Sequence, residues 1–400
     1  FGSGQVPQEG LRNTRIVTST CDVSRGRFSG GLISAITRGG TNRIQGSLNY
    51  SLRDDDLAFQ SGDASPFTSG FTQNQLGVGL GGPIVGNRLF AYGSFQGLLR
   101  SDPLTSLTAA TSTDLQRLGV APDSVSRFMS IADDFGLSPR LASTTRSNAN
   151  FSGLLRFDYL ISNDHTLTVR GDLQQTRQDP SRSARLGLPE TGGVATSSGN
   201  GLMVSLASRL GLEVLNQFRA YAGGSRQDSD PFLYLPQGRV QVASNLVDGS
   251  TGITTLVLGG NPSMPTQSSN TIVEVTDELS WLPGNGAHRI KLGGVFTAQR
   301  NSNIRSNNRL GTFTFNSLAD LESSTPASFR RTLTPNERTT QSYEAAAYAG
   351  DVWRVSRGLQ LTYGLRLESS AFTRPPAYNP ALDAAVLAAG HCGFGLGATP

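Results

Sequence analysis

The stretch Leu359-Gln360-Leu361-Thr362-Tyr363-Gly364-Leu365-Arg366-Leu367-Glu368 alternates apolar and polar residues without a break. Successive side chains of a β-strand point to opposite faces. Leu359, Leu361, Tyr363, Leu365 and Leu367 therefore share one face, and Gln360, Thr362, Gly364, Arg366 and Glu368 share the other. The same period of two recurs upstream. Leu167, Val169 and Leu173 alternate with Arg170, Asp172 and Gln174, and Ile44, Leu48, Tyr50 and Leu52 with Arg43, Gln45 and Asn49. In all, eleven segments read as strands, near 42–53, 72–82, 88–100, 149–160, 165–177, 201–210, 213–226, 270–282, 288–300, 341–354 and 358–369.

A soluble sandwich has the same alternation, so the connections must separate the two architectures. They alternate between long (54–71, 101–148, 178–200, 227–269, 301–340) and short (Pro83–Asn87, Ile161–Asp164, Gly211–Leu212, Pro283–Ala287, Val355–Arg357). Tight turns at one end and long loops at the other are the signature of an outer-membrane barrel, and sandwiches rarely keep it through ten connections. The fold class expected is all-β: an antiparallel transmembrane β-barrel. Trp281 and Trp353 each precede a short turn, and Tyr159 and Phe90 flank two others. Aromatic rings favour the membrane–water boundary, so these four are expected in a periplasmic girdle; ordinary core packing is the alternative.

Composition agrees. Of 400 residues 36% are hydrophobic with glycine left out, 47 are glycine and only 16% are charged, the last well below the about 25% of ordinary globular domains. The net charge of +4 is spread thinly, with no basic block of the kind that binds nucleic acid. Cys21 and Cys392 form no disulfide framework. The longest apolar runs fall short of a membrane helix. The chain opens at Phe1 with neither initiator methionine nor signal peptide and reads as a piece of a longer precursor. Eleven strands also cannot close alone in lipid, where unpaired edge groups cost several kcal/mol each, on the order of the whole stability of a small fold.

Several stretches resemble the Oar-like family of TonB-dependent outer-membrane receptors, which carry a carboxypeptidase-regulatory-like domain. Gly26-Arg27-Phe28-Ser29-Gly30-Gly31, Ile36-Thr37-Arg38-Gly39-Gly40-Thr41-Asn42 and Gly46-Ser47-Leu48 are similar to that family's plug-to-barrel junction. So are Gly81-Gly82-Pro83-Ile84, Asn87-Arg88-Leu89-Phe90-Ala91-Tyr92-Gly93, Asp277-Glu278-Leu279-Ser280-Trp281, His288-Arg289-Ile290-Lys291-Leu292-Gly293-Gly294, Gly311-Thr312-Phe313-Thr314-Phe315-Asn316-Ser317-Leu318-Ala319-Asp320 and Asp351-Val352-Trp353-Arg354-Val355 at their own places in the barrel. The resemblance implies the C-terminal end of a plug over residues 1–41 and the N-terminal portion of a barrel of about 22 strands over 42–400. It further implies a place in the cell outer membrane among lipid and lipopolysaccharide, active uptake of a large unidentified ligand, and TonB as partner. Gly30, Gly31, Thr37, Arg38, Thr41 and Asn42 become plug–barrel junction residues, and Arg156, Asp158, Arg170, Asp172, Arg366 and Glu368 candidates to line the lumen.

Other motifs carry less. Gly77-Val78-Gly79-Leu80-Gly81-Gly82 matches a dinucleotide fingerprint, but that chemistry needs a helix after the loop and a strand follows here, so no cofactor is expected. Glycines in a barrel strand more simply permit a bend or close approach of a plug. Asp54-Asp55-Asp56 has oxygen ligands suited to calcium, or is an exposed acidic loop. His165, His288 and His391 lack zinc spacing, and nothing groups as a catalytic triad, so an enzyme is not expected. In loop 101–148, Ser112–Leu118 and Asp123–Met129 read as short capped helices, forming a lid or plain surface cover. Two other classes stay open: a surface barrel serving adhesion or secretion, and a secreted soluble β-rich carbohydrate-binding protein.

Overall fold

The computed structural model describes residues 6–18, 22–26, 31–57, 70–104, 106–137, 145–284, 286–305, 307–334 and 336–373. In chain order they form β1 (Leu11–Val17), β2 (Leu32–Thr37), β3 (Gln45–Asp54), β4 (Thr72–Val85), β5 (Leu89–Pro103), α1 (Ser112–Arg117), α2 (Pro122–Asp134), β6 (Thr145–Leu160), β7 (His165–Ser181), β8 (Gly193–Leu210), β9 (Val214–Pro231), β10 (Gln237–Asn245), β11 (Thr251–Gly259), β12 (Thr266–Trp281), β13 (His288–Arg305), β14 (Thr312–Phe315), α3 (Leu318–Glu322), β15 (Ser328–Arg330), β16 (Asn336–Arg354) and β17 (Gln360–Phe372).

Eleven of these strands make one sheet whose order follows the chain: β3-β4-β5-β6-β7-β8-β9-β12-β13-β16-β17. Every neighbouring pair is antiparallel. They are the eleven expected from the period of two. Gly77–Gly82 lies within β4, followed by β5 and not by a helix.

The two faces of this sheet differ chemically. Along one register row, Leu80, Gly93, Leu155, Gly171, Leu202, Ala222 and Val273 are successive cross-strand neighbours. Leu80, Leu155, Leu202 and Val273 in that row are exposed, as are Leu365 and Leu367 at the β17 edge. An apolar face this wide and this exposed is stable only against lipid. One residue along, the row reads Tyr92, Arg156, Arg170, Met203, Tyr221 and Glu274. This polar face carries the N-terminal segment and is called inward below. Placing arginine on the lipid face is expected to cost about 2–4 kcal/mol near the bilayer centre. Leu202→Arg should therefore lower the folded fraction in urea titrations, while Gln174→Arg on the inward face should leave it nearly unchanged. Equal losses would refute the assignment of faces.

Above the long-loop end sits a second body. β11, β10, β14 and β15 form a four-stranded sheet in that order, with β10 and β14 parallel. Its core is assembled from four separate loops. Loop 101–148 supplies Leu107, Leu115, Val120, Val125, Phe128, Ile131 and Ala132; loop 178–200 supplies Leu188. Loop 227–269 supplies Val240, Val242, Leu256 and Leu258; loop 301–340 supplies Phe315, Leu318 and Leu321. On α2, Val125, Phe128, Ile131 and Ala132 recur at helical spacing and face this core. The two helices expected in loop 101–148 are thus present, α2 running past Met129 to Asp134. They pack into a composite cap and do not lie singly over the surface.

The start of α1 is a capping box. Thr111 Oγ1 accepts from the Asp114 N–H, and the Asp114 carboxylate accepts from the Thr111 N–H. The Thr111 hydroxyl and then its backbone N–H hold the Asp114 carboxyl below the ordinary carboxylate range. A depressed folded-state pKa contributes stability above the unfolded value and loses it as pH falls through the folded one. Amide exchange at Asp114 should accelerate in that acid window, and Asp114→Asn should remove the pH dependence.

Candidate functional site

A local spacing recurs on the inward face. On three of its strands an arginine is followed two residues later by an acid, and the pleat puts both on the same side. Arg156 and Asp158 on β6 pair at 2.8 Å, Arg170 and Asp172 on β7 at 3.6 Å, and Arg366 is hydrogen-bonded to Glu368 on β17. All six lumen candidates therefore occupy the inward face. They do not meet at one point: they lie on strands at opposite sides of the sheet, and two pairs grip the N-terminal segment.

Arg156 donates from one terminal nitrogen to the Thr37 carbonyl at 2.9 Å and hydroxyl at 3.0 Å. Asp158 also accepts from the Thr168 hydroxyl at 2.7 Å. At the far side, Arg366 donates to the carbonyls of Val23 (3.3 Å) and Ser24 (3.2 Å) and lies over the Tyr348 ring. Beside it, Lys291 bridges Asp22 at 3.0 Å and Glu278 at 3.4 Å, and Tyr348 donates to Glu278 at 2.9 Å. Lys291 is the only lysine among 34 basic side chains. Between residues 24–26 and 31–32 and the wall is a cavity of about 390 Å³, lined in part by Arg25, Glu274, Glu344, Tyr348, Arg366 and Glu368.

Glu9 is the third hold. It accepts from the Ser47 hydroxyl through its carboxylate and from the Tyr92 hydroxyl through its carbonyl. Glycines make room for it: a Cβ on Gly77 would stand 3.3 Å from the Glu9 side chain, and one on Gly79 only 3.1 Å.

Of the junction residues, Thr37 ends β2 and is buried under Arg156. Arg38 donates its N–H to Gly10 and its guanidinium to Leu11. The Thr41 hydroxyl and the Arg43 backbone bond each other. Asn42 exchanges two hydrogen bonds with Asn87 in the β4–β5 turn, where Asn87 adopts φ +59°. That left-handed conformation is one asparagine tolerates. Gly31 precedes β2; Gly30 lies outside the described residues, as do Cys21, His391 and Cys392. Asp54 is engaged by the Thr72 hydroxyl at 2.7 Å, and Asp55 by the Gly70 N–H.

Three of the four girdle aromatics face outward near the short turns. Trp353 stacks on His288 at 5.5 Å, Trp281 donates to Glu213, and Arg88 lies over Tyr159. Phe90 departs from expectation. It pairs with Asp158, is buried, and lies on the inward face, one residue out of phase with Tyr159. Proximity to a turn does not decide the face; the parity of the register does.

Sequence reading missed Glu9, Lys291 and the four strands of the cap sheet. Their partners lie far away in the chain: Lys291 and Asp22 are 269 residues apart. The short alternations Val240/Val242 and Leu256/Leu258 were the available signal for the cap.

A wide antiparallel sheet with long loops at one end, short turns at the other and an apolar outer face defines the wall of an outer-membrane β-barrel. The chain belongs to the outer membrane beta-barrel domain family, whose model matches residues 36–150 and 138–381; its place is the outer membrane. Solved structures share the fold. The outer membrane transporter YddB from Escherichia coli superposes with a TM-score of 0.60 at 13% identity, over 90% of this chain and 43% of that one. The siderophore receptor PirA from Acinetobacter baumannii gives 0.53 at 14%, over 92% and 44%. A ferric enterobactin receptor (PfeA) mutant from Pseudomonas aeruginosa gives 0.53 at 12%, over 91% and 45%. The chain thus spans less than half the length of these proteins. No curated protein matches the sequence.

Proposed function

We propose that the chain is the end of a plug (residues 1–41) and the N-terminal portion of the barrel (42–400) of an Oar-like TonB-dependent transporter. The protein would take up a large ligand such as a siderophore complex, oligosaccharide or peptide. The observation that carries this reading is the N-terminal segment held against the polar inward face at Glu9, Thr37 and Asp22–Ser24. A chain lodged inside a barrel wall has to be moved before anything large can pass, and TonB supplies force for such movement. On this reading the inward Arg–acid pairs line the lumen, and Tyr159, Trp281 and Trp353 mark the periplasmic boundary. Further strands close the free edges of β3 and β17.

The test is uptake in the native host. Siderophore complexes, oligosaccharides and peptides are supplied to wild-type cells, a deletion of the gene, and a strain lacking TonB. One class should accumulate in the wild type alone. If accumulation is the same in all three while the deletion loses surface attachment, the protein is a surface barrel. The folded cap favours that second reading, because a preformed outer module is a ready platform for adhesion.

A further inference from the structure

At the mouth end of the inward face, β13 closes with Asn303-Ile304-Arg305 and β16 opens with Asn336-Glu337-Arg338. Each is the tripeptide Asn-x-Arg, and the strands run antiparallel with Asn303 opposite Arg338 and Arg305 opposite Asn336. The register places the four polar side chains in a checkerboard, the two arginines on one diagonal and the two asparagines on the other. Diagonal neighbours on one face are about 7–8 Å apart. Odd-numbered residues of β13 share the face of Lys291, which touches Asp22, so the checkerboard is on the inward side. Ile304 and Glu337 occupy the opposite face.

The four side chains line a cavity of about 260 Å³. Arg305 donates to Asn303 at 3.3 Å, and no acid lines the space. Arg156, Arg170 and Arg366 differ in this respect, each having an acid two residues on along its own strand. The chain that joins the two strands continues the pattern: it carries Arg309, Arg330 and Arg331, with no acidic residue from 306 to 319 or from 323 to 336. Like charges set side by side repel and destabilise unless something neutralises them. Two guanidinium forks flanked by two carboxamides on one face of the sheet can present several N–H donors to the oxygens of a tetrahedral oxyanion set against them.

We propose that Asn303, Arg305, Asn336 and Arg338 form an oxyanion site for a phosphate or sulfate group at the foot of the cap. Its place in uptake, as the first contact of a phosphorylated or sulfated ligand, rests on the transport reading; the binding itself does not. Lysine in place of arginine keeps the charge and loses the fork, so the site should discriminate between the two.

The probes are inorganic phosphate and sulfate, titrated calorimetrically into the full protein purified from outer membranes, at low ionic strength and with chloride as control. Both should bind, and R305Q or R338Q should each weaken binding about tenfold, the loss of one charge-assisted hydrogen bond. The R305K/R338K variant should fall between wild type and R305Q/R338Q. Heat-modifiable migration on gels checks that each variant is folded. Absence of binding, or equal affinity in wild type and R305Q/R338Q, would overturn the proposal. So would binding that vanishes when the protein is reconstituted with lipopolysaccharide, because the pair would then belong to the membrane's own phosphates.

Discussion

Phe128→Ala is expected to unfold the extracellular cap while the barrel wall stands. Phe128 has the largest of the fully buried side chains and belongs to a core drawn from four loops. Phenylalanine truncation in a core costs about 3–5 kcal/mol, and a module of this size has a core worth about that much in total. The barrel strands draw their stability from ladders and lipid contacts that do not touch this residue. Protease added outside intact cells should therefore cut within 101–148 in the variant and spare the wild type. The heat-modifiable band of the barrel should persist in both. Arg127→Ala on the same helix removes an exposed ion pair to Glu322 at 2.7 Å, worth about 0–1 kcal/mol, and should leave the cap resistant. A protease-resistant Phe128→Ala protein would show that the four loops fold independently.

The second large effect falls on the N-terminal segment. Arg156→Ala removes the partner of Asp158, which is only 9% exposed, and the donors to Thr37. Stranding one member of a buried pair costs about 3–5 kcal/mol. The segment around Thr37–Gly40 should then open more often, and its amides should exchange about 100- to 1,000-fold faster, since each 1.4 kcal/mol is tenfold. Gly40 leaves little room for an intermediate position: a Cβ there would stand 2.5 Å from the Ala91 carbonyl oxygen and 2.8 Å from that of Gly82. Truncating Asp158 as well removes the stranded charge, so the double variant should recover part of the protection. Unchanged exchange in Arg156→Ala would mean that Thr37 is held by other contacts.

The wall was legible because a strand between lipid and a polar interior must alternate. Where that contrast ends, so does the signal. The segment expected at 201–210 starts at Gly193, that at 270–282 at Thr266, and that at 341–354 at Asn336. The missed portions, such as Thr196-Ser197-Ser198-Gly199-Asn200, are polar on both faces. Above the membrane band neither face needs an apolar residue, and the ladder alone keeps the strand extended. The cap was illegible for a different reason. Leu188 and Phe315 lie in loops far apart in the chain, and only the fold brings them into one core with Val240 and Leu256. On the inward face, Arg156, Arg170 and Arg366 were readable from their spacing. Their partners Thr37 and Val23 were not, because those contacts cross more than a hundred residues of chain.

The excess strand length sets a height. β8, β9 and β13 each run 18 residues and β16 runs 19. At about 3.3 Å per residue and about 45° of tilt, such strands rise about 42 Å, against an apolar band of about 25 Å. The remainder, about 17 Å, stands clear of the hydrocarbon as a polar chimney. Arg177–Asp179 and Arg226–Asp228 stud its outside. The cap is thus carried clear of the hydrocarbon, where a solute diffusing toward the cell meets protein before it meets lipid.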